Sequence, residues 1–229
     1  RSENFGDGGR DTFTVSRSIV DIADRDELDL IVVYTGVNDV MTMSGTKTRA
    51  QREAEEADRD AAMSGLAGIG ARSRLLTGLS LLVRPLHATD GPRVPEVPLA
   101  DAELNFETIA RVAAERSAKV LLLTEVVRKE GTAQLEQYRT MQAQVAERHD
   151  HVTYLDLRHL LRAQGHWDDQ EMLVDQNHLS RPGSARVAAA IAPTLAALLD
   201  VEMTDADASL AAIPAERIST VRRSAADPL

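Results

Sequence analysis

The sequence predicts an α/β domain built on a parallel sheet, and three observations carry that prediction. Three short apolar runs have the length and β-branched content of strands buried on both faces. Apolar residues at helical spacing precede the second and the third of these runs. Short motifs of Gly, Asn, Asp and His fall at the ends of the predicted elements, where an open parallel sheet places its active site.

The first run, 28–35 (LDLIVVYT), has acidic residues before it and a glycine after it. The second and third are 118–124 (AKVLLLT) and 152–157 (VTYLDL). Before the second, Phe106, Ile109, Val112 and Ala113 recur on one helical face. Before the third, Leu135, Tyr138, Gln142 and Val145 do so, with only the glutamine polar. Strands that alternate with helices in this way pair in parallel, because each return path crosses the sheet face.

A long insertion, 41–98, separates the first two strands and exceeds what a simple strand-to-helix connection requires. Its first part, 48–60 (TRAQREAEEADRD), reads as a mixed-charge helix without an apolar face, standing in solvent. Its second part, 73–83 (SRLLTGLSLLV), is apolar enough to pack on something, and Pro85, Pro92, Pro95 and Pro98 then impose an extended return. The insertion is either a lid or wall beside a substrate, or a packed surface helix with its loop. The last helix is expected after Leu179, with Ser180 as N-cap, Pro182 in the first turn, and Val187, Ala190, Ile191 and Leu195 along it. Pro193 is expected to kink or interrupt it. The organisation is thus one domain over 1–200 and an irregular or partly disordered tail over 201–229.

Composition narrows the function. A chain of 229 residues suits a single core, and its net charge of -10, with basic and acidic residues interspersed, argues against a nucleic-acid partner. The absence of cysteine removes disulfides, thiol nucleophiles and thiolate metal sites. No apolar run reads as a membrane span, and no charged-then-apolar signal segment opens the chain.

Three motifs carry chemistry. Asn4-Phe5-Gly6-Asp7-Gly8-Gly9 leads into a helix marked by Val15, Ile19 and Ile22; glycines at such a junction expose backbone N–H groups to developing negative charge. Gly36-Val37-Asn38-Asp39 follows the first strand, where an Asn side chain can either donate to an oxyanion or merely end the strand in a turn. Asp175-Gln176-Asn177-His178 precedes the last helix, and its spacing can either bring the carboxylate to Nδ1 of the imidazole, leaving Nε2 to accept a proton, or serve a cap-like structural role. His149 and His151 lie in a charged segment, and His159 and His166 lack a carboxylate at that spacing in a comparable turn, so His178 is the preferred base.

In this order and on these elements, the three motifs resemble blocks II, III and V of the SGNH/GDSL hydrolases, over residues 4–199 apart from the insertion. The resemblance implies a flavodoxin-like three-layer α/β/α sandwich with a parallel sheet of about five strands, of which three are recognised here. It implies a serine esterase in which His178 is the base, Asp175 orients it, Gly6 and Asn38 belong to the oxyanion hole, and Asn4, Gly9, Gly36 and Asp39 support them. No metal or organic cofactor is implied. The family's first block, a Gly-Asp-Ser bearing the nucleophile, does not occur in the 229 residues, and neither Ser64 nor Ser80 has the glycine pattern of a nucleophile elbow.

The chain opens with Arg1 close to a glycine-rich turn, so the expectation is that the first strand and the serine lie upstream, together with any signal or membrane anchor. The fragment is then expected to be inactive and, with an apolar sheet edge uncovered, poorly soluble or domain-swapped. The substrate implied is an ester of a small molecule or a glycan. Acyl transfer to an envelope glycan and a non-catalytic binding module are the competing functions. Arg128 and Lys129, after the second strand, are expected to face solvent rather than an anionic substrate. Compartment and oligomeric state are not legible.

Overall fold

A computed structural model describes residues 10–40, 50–54, 57, 95–128, 133–165 and 169–202. The glycine motif at 4–9, Lys129, His166, most of the insertion and the tail from 203 lie outside the described residues. The elements are α1 (Thr12–Ala23), β1 (Leu30–Tyr34), α2 (Val37–Val40), α3 (Leu99–Glu115), β2 (Lys119–Leu123), α4 (Ala133–Arg148), β3 (Val152–Leu155), α5 (Leu157–Ala163), α6 (Asp169–Met172) and α7 (Arg181–Leu199).

The three strands form one parallel sheet in the order β1-β2-β3. Side chains alternate across a strand, and the two faces of this sheet gather two separate cores. Ile31, Val33, Val120, Leu122 and Val152 face the side covered by α1, α3 and α4, where Phe106, Ile109, Tyr138 and Val145 meet them. Leu121 and Leu123 face the other side, against Leu157, Leu161, Met172, Val187 and Ala190 of α5, α6 and α7. The result is the three-layer α/β/α arrangement that the sequence implies. Both crossovers, through α3 and α4, lie on one face, as consecutive parallel strands require.

Several boundaries differ from the sequence reading for local reasons. The third strand stops at Leu155 rather than 157, because the Asp156 carboxylate accepts the His159 N–H at 3.0 Å and caps α5. The last helix begins as expected, with Ser180 Oγ accepting the Gly183 N–H at 3.0 Å, but runs unbroken through Pro193 to Leu199. A proline removes one helical hydrogen bond, and the contacts of Ile191, Leu195 and Leu198 with the second core hold the segment helical on both sides of it. By length and composition alone, α7 is the one helix among the described residues that could cross a membrane; here it forms part of the outer layer.

Of the charged stretch 48–60, residues 50–54 and 57 are described; they are helical and exposed as expected, apart from Arg52. Arg52 turns inward: it pairs with Asp11, donates to the Glu96 carbonyl, and lies 5.9 Å from the centre of the Phe13 ring. A guanidinium that satisfies a carboxylate and a carbonyl can be withdrawn from water where an unpaired one cannot.

Among the described residues β1 is an edge strand, and its Val32 is 46% exposed, whereas every residue of β2 after Lys119 is buried. Where α7 meets α6, Gly183 is required for a different reason: a Cβ there would overlap the Met172 carbonyl, which already accepts the Ser180 N–H at 2.8 Å. Gly183→Ala is therefore expected to cost about 1–3 kcal/mol as backbone is forced apart, read as a Tm lowered by several degrees in thermal denaturation. An unchanged Tm would mean that α7 can lift away from α6 without cost.

Candidate active site

The second and third motifs lie in the loops at the carboxyl end of the sheet, where the fold opens. Gly36 follows β1 at φ +133°, a conformation that side-chain-bearing residues rarely adopt, and a Cβ there would also sit 3.1 Å from Gln142 Nε2. The chain can then turn at once into α2, which carries Asn38 and Asp39. Gln142 Nε2 donates to the Thr35 carbonyl at 3.1 Å, fixing the exit of the strand.

Asn38 Nδ2 donates to the Arg10 carbonyl at 2.9 Å, and Thr35 Oγ1 donates to the same oxygen at 3.4 Å. Arg10 is the residue directly after the glycine motif, so the described edge of that motif is tied to the second one. An amide NH₂ has two protons, and the Arg10 contact orients the group while engaging one of them. Gly6, Asn4 and Gly9 themselves lie outside the described residues.

Asp39 points the other way, into the protein. Its side chain is fully buried, and Oδ1 accepts the Thr12 N–H at 2.8 Å at the start of α1. Asp11 caps the same helix by accepting the Thr14 N–H at 2.9 Å. Two acids at a helix N-terminus meet its unpaired N–H groups and the positive end of its dipole. Burial nevertheless dominates: it pushes the Asp39 carboxyl up to about 7, against the Thr12 hydrogen bonds and with the charges of Asp11 and Glu125 adding to the rise.

The third motif is a tight turn. Asp175 Oδ2 accepts from His178 Nδ1 at 2.8 Å, while Oδ1 accepts the N–H groups of His178 at 2.9 Å and Asn177 at 3.1 Å. The His178 N–H, its ring and the Asn177 N–H hold the Asp175 carboxyl well below the usual carboxylate range. With Nδ1 donating to that carboxylate, Nε2 is the nitrogen left to accept a proton. The His178 ring is exposed.

The turn is clamped from below. Leu173 and Leu179 bridge in antiparallel fashion, and the Val174 N–H donates to the His178 carbonyl at 2.9 Å. Arg128, expected to face solvent, instead donates from Nη2 to the Leu173 carbonyl at 2.9 Å and from its backbone N–H to the Gln176 carbonyl at 2.7 Å. Arg158, buried, donates to the Val127 carbonyl at 2.9 Å and supports the same segment. Carbonyls at a turn need donors, and a guanidinium supplies several from one side chain. Neither arginine stands at a spacing in the sequence that announces this role.

Glu125 was also missed. It follows the second strand, its Oε2 accepts the Val37 N–H inside the Gly36–Asp39 turn, and burial pushes its carboxyl up to about 7, opposed by that hydrogen bond and by the charge of His178. Its position at the carboxyl end of a parallel strand was the available signal. Two carboxyls with raised values destabilise the fold when ionised: their contribution is fully present below about 4, where folded and unfolded chains both bind the proton, and is lost as pH rises to about 7. Asp39→Asn keeps the acceptor for Thr12 and removes the charge. Its Tm is expected to match the wild type near pH 4 and to exceed it by several degrees at about pH 8. Parallel Tm–pH curves for the two proteins would show that Asp39 ionises normally in the fold.

A search of curated proteins finds no match to this chain. The model of the GDSL-like Lipase/Acylhydrolase family matches residues 2–186, a span that takes in all three motifs and the sheet. The family's members are hydrolases that act on esters, in keeping with a histidine–carboxylate pair at the carboxyl edge of a parallel α/β sheet. The chain belongs to the GDSL-like lipase/acylhydrolase family.

Proposed function

We propose that this protein provides the acid–base half of a serine esterase acting on an acyl ester of a small molecule or carbohydrate. The observation that carries this reading is the Asp175–His178 contact at 2.8 Å, on a turn held by hydrogen bonds to Arg128. A histidine oriented through Nδ1 by a carboxylate is the arrangement that lets Nε2 take a proton from a hydroxyl. The 229 residues contain no Gly-Asp-Ser, and we assign the nucleophile to a serine of the parent protein outside them.

In this mechanism the serine Oγ attacks the ester carbonyl carbon as its proton passes to His178 Nε2. The carbonyl oxygen becomes an oxyanion, met by the free side-chain N–H of Asn38, the backbone N–H of Gly6 and the serine's own amide. Collapse breaks the ester C–O bond, and His178 returns the proton to the departing alcohol. Water then repeats the sequence on the acyl-serine, releasing the acid and the free enzyme. Asp175 stays ionised throughout and stabilises the imidazolium.

The test is turnover of p-nitrophenyl acetate. The 229-residue chain alone is expected to be no faster than buffer, while the protein that includes the serine hydrolyses the ester. In the latter, His178→Ala should lower kcat by about 10³-fold or more and Asn38→Ala by about 10²–10³-fold. Serine-dependent turnover by the 229 residues on their own, or full activity without His178, would refute the assignment.

A further inference from the structure

Glu125 belongs to none of the three sequence motifs, yet it holds the backbone of the second. It leaves the carboxyl end of β2, and its carboxylate accepts the N–H of Val37, the residue between Gly36 and Asn38. The charge of His178 is near enough to act on this carboxyl electrostatically. Its own backbone carbonyl accepts from Arg139 Nη2 at 3.5 Å, so the main chain at 125 is anchored to α4.

We propose that Glu125 is a positioning residue: by accepting the Val37 N–H, it fixes the Gly36–Val37 peptide, one residue ahead of Asn38, and so aims the Asn38 side chain at the reacting oxygen. This rests on the esterase reading above. Two contacts set the place of Asn38, one on its side chain and one on the backbone a residue ahead. The Arg10 carbonyl holds the side chain at 2.9 Å, and Glu125 holds the backbone just before it. Gly36 makes the second contact necessary, since a residue at φ +133° and without a side chain gives the turn no packing of its own. Oxyanion donors contribute through preorganisation, so a donor that wanders loses most of its effect.

The groups around Glu125 give the arrangement a pH dependence. Tyr34 faces it from β1, with its hydroxyl accepting the Val126 N–H at 3.1 Å. Asp39 faces it from α2 as a like charge. Arg139 of α4 stands beside it but is paired with Glu136 at 2.7 Å, and His178 faces it from the Asp175 turn. No neighbouring cation is dedicated to this carboxylate among the described residues, and burial lifts it to about 7. As pH falls through that value the acceptor loses its charge, and the hydrogen bond to Val37 changes from a charge-assisted bond to a weaker neutral one.

The contact is tested without turnover by following the Val37 amide of the 229-residue chain by NMR between about pH 5 and about pH 9. Read in an Asp39→Asn background, which removes the other carboxyl lifted to about 7, the expected result is a transition with its midpoint near 7, absent when Glu125→Gln is added. An amide that does not move, or that moves identically in Glu125→Gln, overturns the proposal. In the serine-bearing protein, Glu125→Ala is expected to lower kcat for p-nitrophenyl acetate about tenfold with KM within about twofold. Glu125→Gln, which keeps an oxygen acceptor and the shape, should recover most of that loss at about pH 8. Wild-type kcat in the alanine variant, or no recovery in the glutamine variant, also overturns it. Failure of the esterase reading would appear separately, as no turnover dependent on His178 in the wild type, and the Val37 titration would still decide the contact.

Discussion

The burial of β2 on both faces is the constraint from which the rest of the architecture follows. Val120, Leu121, Leu122 and Leu123 are all withdrawn from water, two toward each layer. A strand buried in this way needs a helical layer above and another below, and its backbone must pair on both edges. β1 and β3 supply the pairing, and the registers Leu30 with Lys119 and Val120 with Val152 leave all three strands ending together. Because the strands are parallel, every loop that leaves a carboxyl end emerges at the same edge. Gly36, Glu125 and Asp156 are therefore neighbours although 120 residues separate the first from the last.

That edge is where the fold accepts polar groups at a cost. Asp39 is fully buried, Glu125 is half-buried, and both are pushed toward the neutral form. Each is set against a backbone N–H that has no other partner in its own element: Thr12 at the start of α1 for Asp39, and Val37 at the start of α2 for Glu125. Each acid meets a donor that would otherwise be left unsatisfied inside the protein. The same logic explains Arg128 and Arg158, which answer carbonyls of the turn and of its supporting strand end. The Asp175–His178 pair is different. It lies open to solvent, and its geometry comes from three hydrogen bonds to a single carboxylate rather than from packing.

Local information and global information separate cleanly along this chain. The apolar runs gave the strands because burial on both faces leaves a continuous hydrophobic signature in four or five residues, and Ser180 was readable because an N-cap acts only three residues ahead. Asp175 and His178 were readable for the same reason, since their contact spans three residues. The two misread arginines fall where a distant partner intervenes. Arg128 reads as a solvated loop residue until Leu173 and Gln176 are brought beneath it, and Arg52 reads as one charge among many until Asp11 and Glu96 are placed within its reach.

The sequence by itself determined the order of the three strands and of the long helices between them, the parallel class of sheet, and the pairing of Asp175 with His178. All of these depend on periodicity or on contacts a few residues long. Only the tertiary structure decided that Asn38 is held by Arg10, that Asp39 serves α1, and that Glu125 meets the backbone of the second motif. Those contacts span 27, 28 and 88 positions. No local pattern encodes them, because they exist only once the parallel sheet has brought its carboxyl ends together.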